Sequence, residues 1–163
     1  MPRPRIIIVC TANICRSPMG ERLLAHALAA EAPPLNEIEV ISTGVSAYPG
    51  EPASRNSLKA LQKVGLDLSN HRSQPLRPEH LDNALAVFVM TEAHRAFLDA
   101  LQDSDPPVPV FLYRELMGAG HPPEVPDPFG ADLPAYLETR DALAEAVPSI
   151  VAWLREKTAP AKA

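Results

Sequence analysis

The stretch Arg5-Ile6-Ile7-Ile8-Val9-Cys10-Thr11-Ala12-Asn13-Ile14-Cys15-Arg16-Ser17-Pro18 decides how the chain is read. Four β-branched residues in a row, Ile6 to Val9, with no polar alternation, predict a strand over Arg5 to Cys10 buried on both faces. Ser17-Pro18 predicts the start of a helix, with Ser17 at the N-cap and Pro18 at the first helical position. Between them lies C-x5-R-S. A short loop joining a strand to a helix can turn successive backbone N–H groups inward, and the helix adds its positive end. Such a nest binds an anion. Cys10 would lie at its base, where the dipoles that attract phosphate also stabilise a thiolate. Arg16 supplies a planar fork suited to two phosphate oxygens. Ser17 has two tasks in this reading: capping the helix and donating its hydroxyl to the Cys10 sulfur.

Outward from this segment, strand and helix alternate. Glu21 to Ala32 continues the first helix, and Pro33-Pro34 ends it. A second strand is expected over Glu37 to Ile41, then a loop with Gly44, Pro49, Gly50 and Pro52. An amphipathic helix follows over Arg55 to Val64, closed by Gly65. Asp67 to Pro78 reads as irregular. A third strand (Ala84 to Met90), a third helix (Glu92 to Gln102) and a short fourth strand (Val108 to Leu112) come next. Gly118 to Gly130 is a loop, and Leu133 to about Lys157 a long terminal helix that Pro148 is expected to kink. This alternation predicts an α/β fold with a parallel sheet and helices on both faces. Ligands then bind beyond the carboxyl ends of the strands, where the C-x5-R-S loop falls.

Composition bounds the alternatives. At 163 residues, with 46% hydrophobic and 21% charged, one domain with one sizeable core is expected. The 19 prolines are more than twice the usual ~5%, and their clustering between periodic segments reads as stiffened loops. A net charge of −5 without a basic block argues against nucleic-acid partners. No apolar run is long enough for a membrane span or a secretory leader, so a cytoplasmic protein is expected. Cys10 and Cys15 are the only thiols. They are too few for a disulfide scaffold, and C-x4-C without a partner pair is not structural-zinc spacing. As bare counts they fit two packed thiols; as part of C-x5-R-S, Cys10 reads as a nucleophile.

The chain resembles the low molecular weight protein tyrosine phosphatases. The family loop C-x-G-N-x-C-R-S-P stands here as C-T-A-N-I-C-R-S-P over Cys10 to Pro18. The likeness extends to Ser42-Thr43-Gly44, His71-Arg72-Ser73, Met90-Thr91 and Asp127-Pro128-Phe129, covering nearly the whole length as a single domain over residues 1–163. It implies a four-stranded parallel sheet of order 2-1-3-4 flanked by five helices. It further implies Cys10 as nucleophile, Arg16 as phosphate binder and Asp127 as general acid and base. Phosphate would rest in the loop Thr11, Ala12, Asn13, Ile14, Cys15 and Ser17, braced by Asn13, Ser17, Ser42 and His71. Ala12 departs from the family glycine; if that position needs a positive φ, strain of order a kilocalorie is expected.

The remaining candidates divide by chemistry. Asp127 sits between two prolines that restrict its backbone, against the plain reading of a turn aspartate. His26, His80, His94 and His121 lack metal-ligand spacing and read as surface or capping residues. Glu21 reads as a carboxylate near the helix's positive end. Cys15 is a candidate disulfide partner for Cys10 on oxidation, protecting the nucleophile reversibly. No metal or cofactor is implied. The expected partner is a phosphorylated protein or peptide, with the chain a monomer or weak homodimer. Ile14 and Phe129 would flank the pocket mouth, where an aromatic ring stacks. Gly130 stands where tyrosine-directed members often place a second aromatic. Relatives acting on phosphoarginine carry Thr in place of Ile14, so phosphotyrosine is expected and phosphoarginine is the alternative. A thioredoxin-coupled arsenate reductase would need further cysteines. A non-catalytic phosphate-binding module would not need Asp127, and a redox protein using only the cysteine pair would need neither Asp127 nor Arg16.

Overall fold

The isoleucine-rich strand β1 (Arg5–Cys10) lies inside the sheet, and Ile6 to Val9 are completely buried. In the computed structural model, which describes residues 3–160, it is joined by β2 (Glu39–Gly44), β3 (Ala84–Val89) and β4 (Val110–Leu112). All pair in parallel, in the order β2-β1-β3-β4. Because side chains alternate across a strand, β1 feeds two cores at once. Ile6 and Ile8 join Phe88 and Tyr113 beneath α1 (Arg16–Ala29), α2 (Arg55–Gln62) and α4 (Leu133–Lys157). Ile7 and Val9 join Val87, Val89 and Leu98 beneath α3 (Glu92–Leu101) on the other face. On the larger side Trp153 packs edge-on against Phe111 at 5.1 Å and Phe88 at 6.4 Å. The buried Tyr113 hydroxyl donates to the Gly20 carbonyl at 3.0 Å, so its burial leaves no polar group unpaired.

Several boundaries differ from the sequence expectation. Among the described residues, four α-helices and three short 3-10 turns (Leu35–Glu37, Pro78–Leu81, Glu115–Met117) flank the sheet, rather than five helices. The first helix ends at Ala29, not Ala32, so the turn is complete before Pro33-Pro34. The second strand begins at Glu39 and runs through Ser42-Thr43-Gly44, because pairing with β1 continues to Cys10 opposite Gly44. The fourth strand keeps only Val110 to Leu112. α4 continues on both sides of Pro148, an exposed residue, and Ala144, whose carbonyl loses its usual partner, is exposed as well.

The irregular stretch is held against the sheet. Gly44 N–H donates to Gln74 at 3.0 Å and Leu76 N–H donates back to Gly44 at 2.9 Å, forming a bridge beside the end of β2. Val125 N–H donates to the Met90 carbonyl at 2.9 Å, tying the late proline-rich loop to the end of β3. Both ties lie at the edge where β1 delivers Cys10. Among the described residues, no helix is long and apolar enough to cross a membrane.

Candidate active site

β1 ends at Cys10 and α1 begins at Arg16, so residues 11–15 make the whole connection. The turn needs one left-handed residue, and Asn13 supplies it at φ 60°. Asparagine tolerates that conformation better than most residues. Ala12 is not in the positive-φ region, so its replacement of the family glycine carries no strain of that kind. The loop's carbonyls are drawn outward. Cys10, Thr11 and Ile14 accept from Val45, Ser46 and Ser54 N–H at 2.8–3.0 Å. The Asn13 carbonyl accepts from His71 Nε2 at 2.6 Å. With its oxygens engaged outside, the loop is left to present N–H groups inward.

Gly44 makes this packing possible. A Cβ there would lie 2.5 Å from the Thr11 carbonyl oxygen and 2.9 Å from the Asn13 nitrogen.

Ser17 is not the helix cap. Cys15 occupies the N-cap without a side-chain cap bond, so Ser17 and Pro18 fall within the first turn, where Pro's missing N–H is no loss. Ser17 is therefore free for the cysteine: its fully buried Oγ lies 2.9 Å from Cys10 Sγ. Asn13 Nδ2 donates to that Oγ at 2.8 Å and to Ser42 Oγ at 2.9 Å, while Gln74 N–H donates to Asn13 Oδ1 at 2.9 Å. Ser17 thus accepts from Asn13 and keeps its own proton, within reach of the Thr43 carbonyl at 3.3 Å and of the nearer Cys10 sulfur, which as a thiolate would attract it. Gln74 escaped the sequence reading; only its position after His71-Arg72-Ser73 could have pointed to it. Burial pushes the His71 imidazole below its ordinary value, opposed by its bond to Asn13, so it braces the loop as a neutral ring. Burial raises the Glu21 carboxyl, opposed by a hydrogen bond with Ser42, so it adjoins the same network.

Arg16 is 3% exposed. Its Nη1 donates to the Val125 carbonyl at 2.9 Å and its Nη2 to Thr11 Oγ1 at 3.4 Å, while Asp127 Oδ2 is 3.6 Å from Nη2. Its buried Nε has no partner among the described residues. Arg16 lines a cleft of about 230 Å³ together with Cys10, Thr11, Ala12, Ile14, Cys15, Asp127 and Phe129. The Asp127 side chain is half exposed, and its Oδ1 accepts from Phe129 N–H at 3.0 Å, which fixes the carboxyl's direction. Phe129 is exposed at the same cleft. Cys15 Sγ lies 3.3 Å from the Tyr136 hydroxyl and 3.5 Å from Ser54 Oγ, and burial pushes its thiol up.

One histidine overturns its sequence reading. His94 is not a surface residue but is buried, with Nε2 2.9 Å from Thr11 Oγ1, while its Nδ1 accepts from Met90 N–H just ahead of α3. Burial and then the neighbouring Arg16 push it down to about 4. The available signal was position: His94 follows the N-cap Thr91 in the first turn after β3, on the edge that carries the loop. His26 and His121 are exposed, and His80 Nδ1 accepts from Arg77 N–H at the start of a 3-10 turn.

A sequence model of the family described as low molecular weight phosphotyrosine protein phosphatase matches residues 5–160. A protein-arginine-phosphatase of Bacillus subtilis is 37% identical, over 93% of this chain and 97% of its own. A probable low molecular weight protein-tyrosine-phosphatase, EpsP, of Ralstonia solanacearum is 31% identical over 91% and 92%. The crystal structure of the low molecular weight protein tyrosine phosphatase from T. tengcongensis superposes with a TM-score of 0.80 at 32% identity, covering 92% of this chain and 99% of that one. A thiol, a buried guanidinium and a carboxyl on one cleft thus coincide with a match over nearly the full length, and the chain belongs to the low molecular weight phosphotyrosine protein phosphatases, a family of cysteine-dependent phosphatases acting on phosphorylated proteins.

Proposed function

We propose that the chain hydrolyses phosphotyrosine in proteins through two displacements at phosphorus, with a phosphocysteine between them. The observation that carries this is the buried Arg16 guanidinium, which lines the cleft that holds Cys10 and whose Nε has no partner among the described residues. A desolvated N–H without an acceptor is costly, and a bound phosphoryl oxygen removes that cost. The Cys10 thiolate, stabilised by the Ser17 hydroxyl, attacks phosphorus; an S–P bond forms and the P–O bond to the tyrosyl oxygen breaks. Asp127 gives its proton to that departing oxygen. Water then attacks the phosphocysteine, passes a proton to Asp127, and the S–P bond breaks to release inorganic phosphate. Arg16 and the inward N–H groups of residues 11–15 hold the equatorial oxygens as charge develops. Asn13, Ser42 and His71 hold the loop in the shape this needs.

Ile14 and Phe129 give the cleft apolar walls suited to the flat ring of tyrosine. Two observations favour a second reading, phosphoarginine: Gly130 supplies no second aromatic wall, and the Bacillus subtilis relative is a protein-arginine-phosphatase. Phosphate release from phosphotyrosyl and phosphoarginyl peptides of one sequence tests the choice. We expect preference for phosphotyrosine; preference for phosphoarginine would keep the chemistry and overturn the substrate. We further propose that peroxide oxidises the Cys10 thiolate to a sulfenic acid. The Cys15 thiol then displaces water from it to form a disulfide that thiols reduce. Two free thiols agree with work in the reducing cytoplasm.

A further inference from the structure

His94 touches no group that the proposed displacements use directly, yet it is buried against the nucleophile loop. Its two ring nitrogens are distinguished by their partners. The Met90 backbone N–H donates to Nδ1 at 3.3 Å, so Nδ1 is the acceptor and the neutral ring carries its proton on Nε2. Nε2–H therefore donates to Thr11 Oγ1, 2.9 Å away. Arg16 Nη2 donates to the same oxygen at 3.4 Å. A threonine hydroxyl has two lone pairs and one proton. With both lone pairs directed at His94 and Arg16, only the proton is left, and Thr11 lines the cleft.

We propose that His94 is a positioning residue that fixes the Thr11 hydroxyl as a further hydrogen-bond donor to the phosphoryl group bound in the cleft. The proposal rests on the phosphatase reading and adds a side-chain donor to the backbone N–H groups and Arg16. Protonating His94 would put an Nδ1–H against the Met90 N–H. Arg16 opposes that charge as well, while Asp127 and Glu124 favour it more weakly than burial disfavours it. The ring stays neutral around pH 7, and its hydrogen bond to Thr11 keeps one direction.

The test uses p-nitrophenyl phosphate as substrate and inorganic phosphate as competing anion, with His94→Leu, Thr11→Val, their double variant, His94→Gln and Thr11→Ser. His94→Leu and Thr11→Val are each expected to lower kcat/KM by about tenfold and to weaken phosphate inhibition similarly, the size of one hydrogen bond. The double variant is expected to lose no more than either single, because both remove the same donor. His94→Gln, whose amide still reaches Thr11 as a donor, recovers most of the loss, and so does Thr11→Ser, which keeps the hydroxyl. Losses that multiply in the double variant would overturn the proposal. So would Thr11→Val with wild-type constants, or Thr11→Ser as impaired as Thr11→Val; these changes lie on an exposed loop position and do not depend on His94→Leu folding. A wild-type enzyme that turns over no p-nitrophenyl phosphate would overturn the phosphatase reading itself, a result distinct from any difference among the variants.

Discussion

Acid destabilises this protein through His94, and replacing it with glutamine removes that part of the pH dependence. The ordinary value of 6.5 falls to about 4 in the folded chain, burial being the larger cause and Arg16 the next. The unfolded chain therefore takes up this proton first as pH falls. Stability is fully present above 6.5 and is lost progressively towards the folded value. Each tenfold difference in proton affinity between the two states is worth about 1.4 kcal/mol, so about 2 kcal/mol is gone by pH 5 and about 3 kcal/mol below pH 4. Urea denaturation at pH 7 and pH 5 on wild type and His94→Gln measures it, at a common slope. His71 and His80, also lowered by burial, push both proteins the same way, and Glu21, raised by burial, pushes both the other way. They cancel in the difference. Wild type is expected to lose about 2 kcal/mol more than the variant between the two pH values. Parallel losses would refute the reasoning and mean that His94 is protonated freely in the folded state.

Three further outcomes follow from the site. Gly44→Ala places a methyl within 2.5 Å of the Thr11 carbonyl, so the loop must shift. We expect kcat/KM for p-nitrophenyl phosphate to fall about a hundredfold with the fold kept by circular dichroism; unchanged kinetics would contradict the close approach. Asp127→Ala is expected to slow release of poor leaving groups by about 10²–10⁴-fold and good ones far less, and an equal loss across a leaving-group series would remove Asp127 as the acid. Dithiothreitol is expected to restore peroxide-treated wild type but not Cys15→Ser; equal recovery of both would sink the disulfide.

The part of the architecture visible in the sequence was the part set by local chemistry. Ile6 to Val9 could only be a strand buried on both faces, and C-x5-R-S after it placed the cleft at the right sheet edge. What escaped depended on neighbours far along the chain. The second strand runs on through Ser42-Thr43-Gly44 because β1 pairs with it there, and those residues look like a loop in isolation. Ser17 is expected both to cap α1 and to reach the Cys10 sulfur; the helix starts two residues earlier, at Cys15, so the cap is lost while the contact with Cys10 is made. His94 is separated from Thr11 by 83 positions, and only the return of β3 to the same edge brings them together. A histidine in a polar-looking helix start carries no local mark of burial.

The most direct test of the account is to find the phosphorus. Wild type and Asp127→Ala would be mixed with a radiolabelled phosphotyrosyl peptide, quenched rapidly in acid and mapped by proteolysis. The account predicts transient label on the peptide containing Cys10 in wild type, formed far more slowly in Asp127→Ala because the tyrosyl oxygen must leave unprotonated, with no turnover by Cys10→Ser. Turnover by wild type with no label on Cys10, or undiminished turnover by Cys10→Ser, would contradict it.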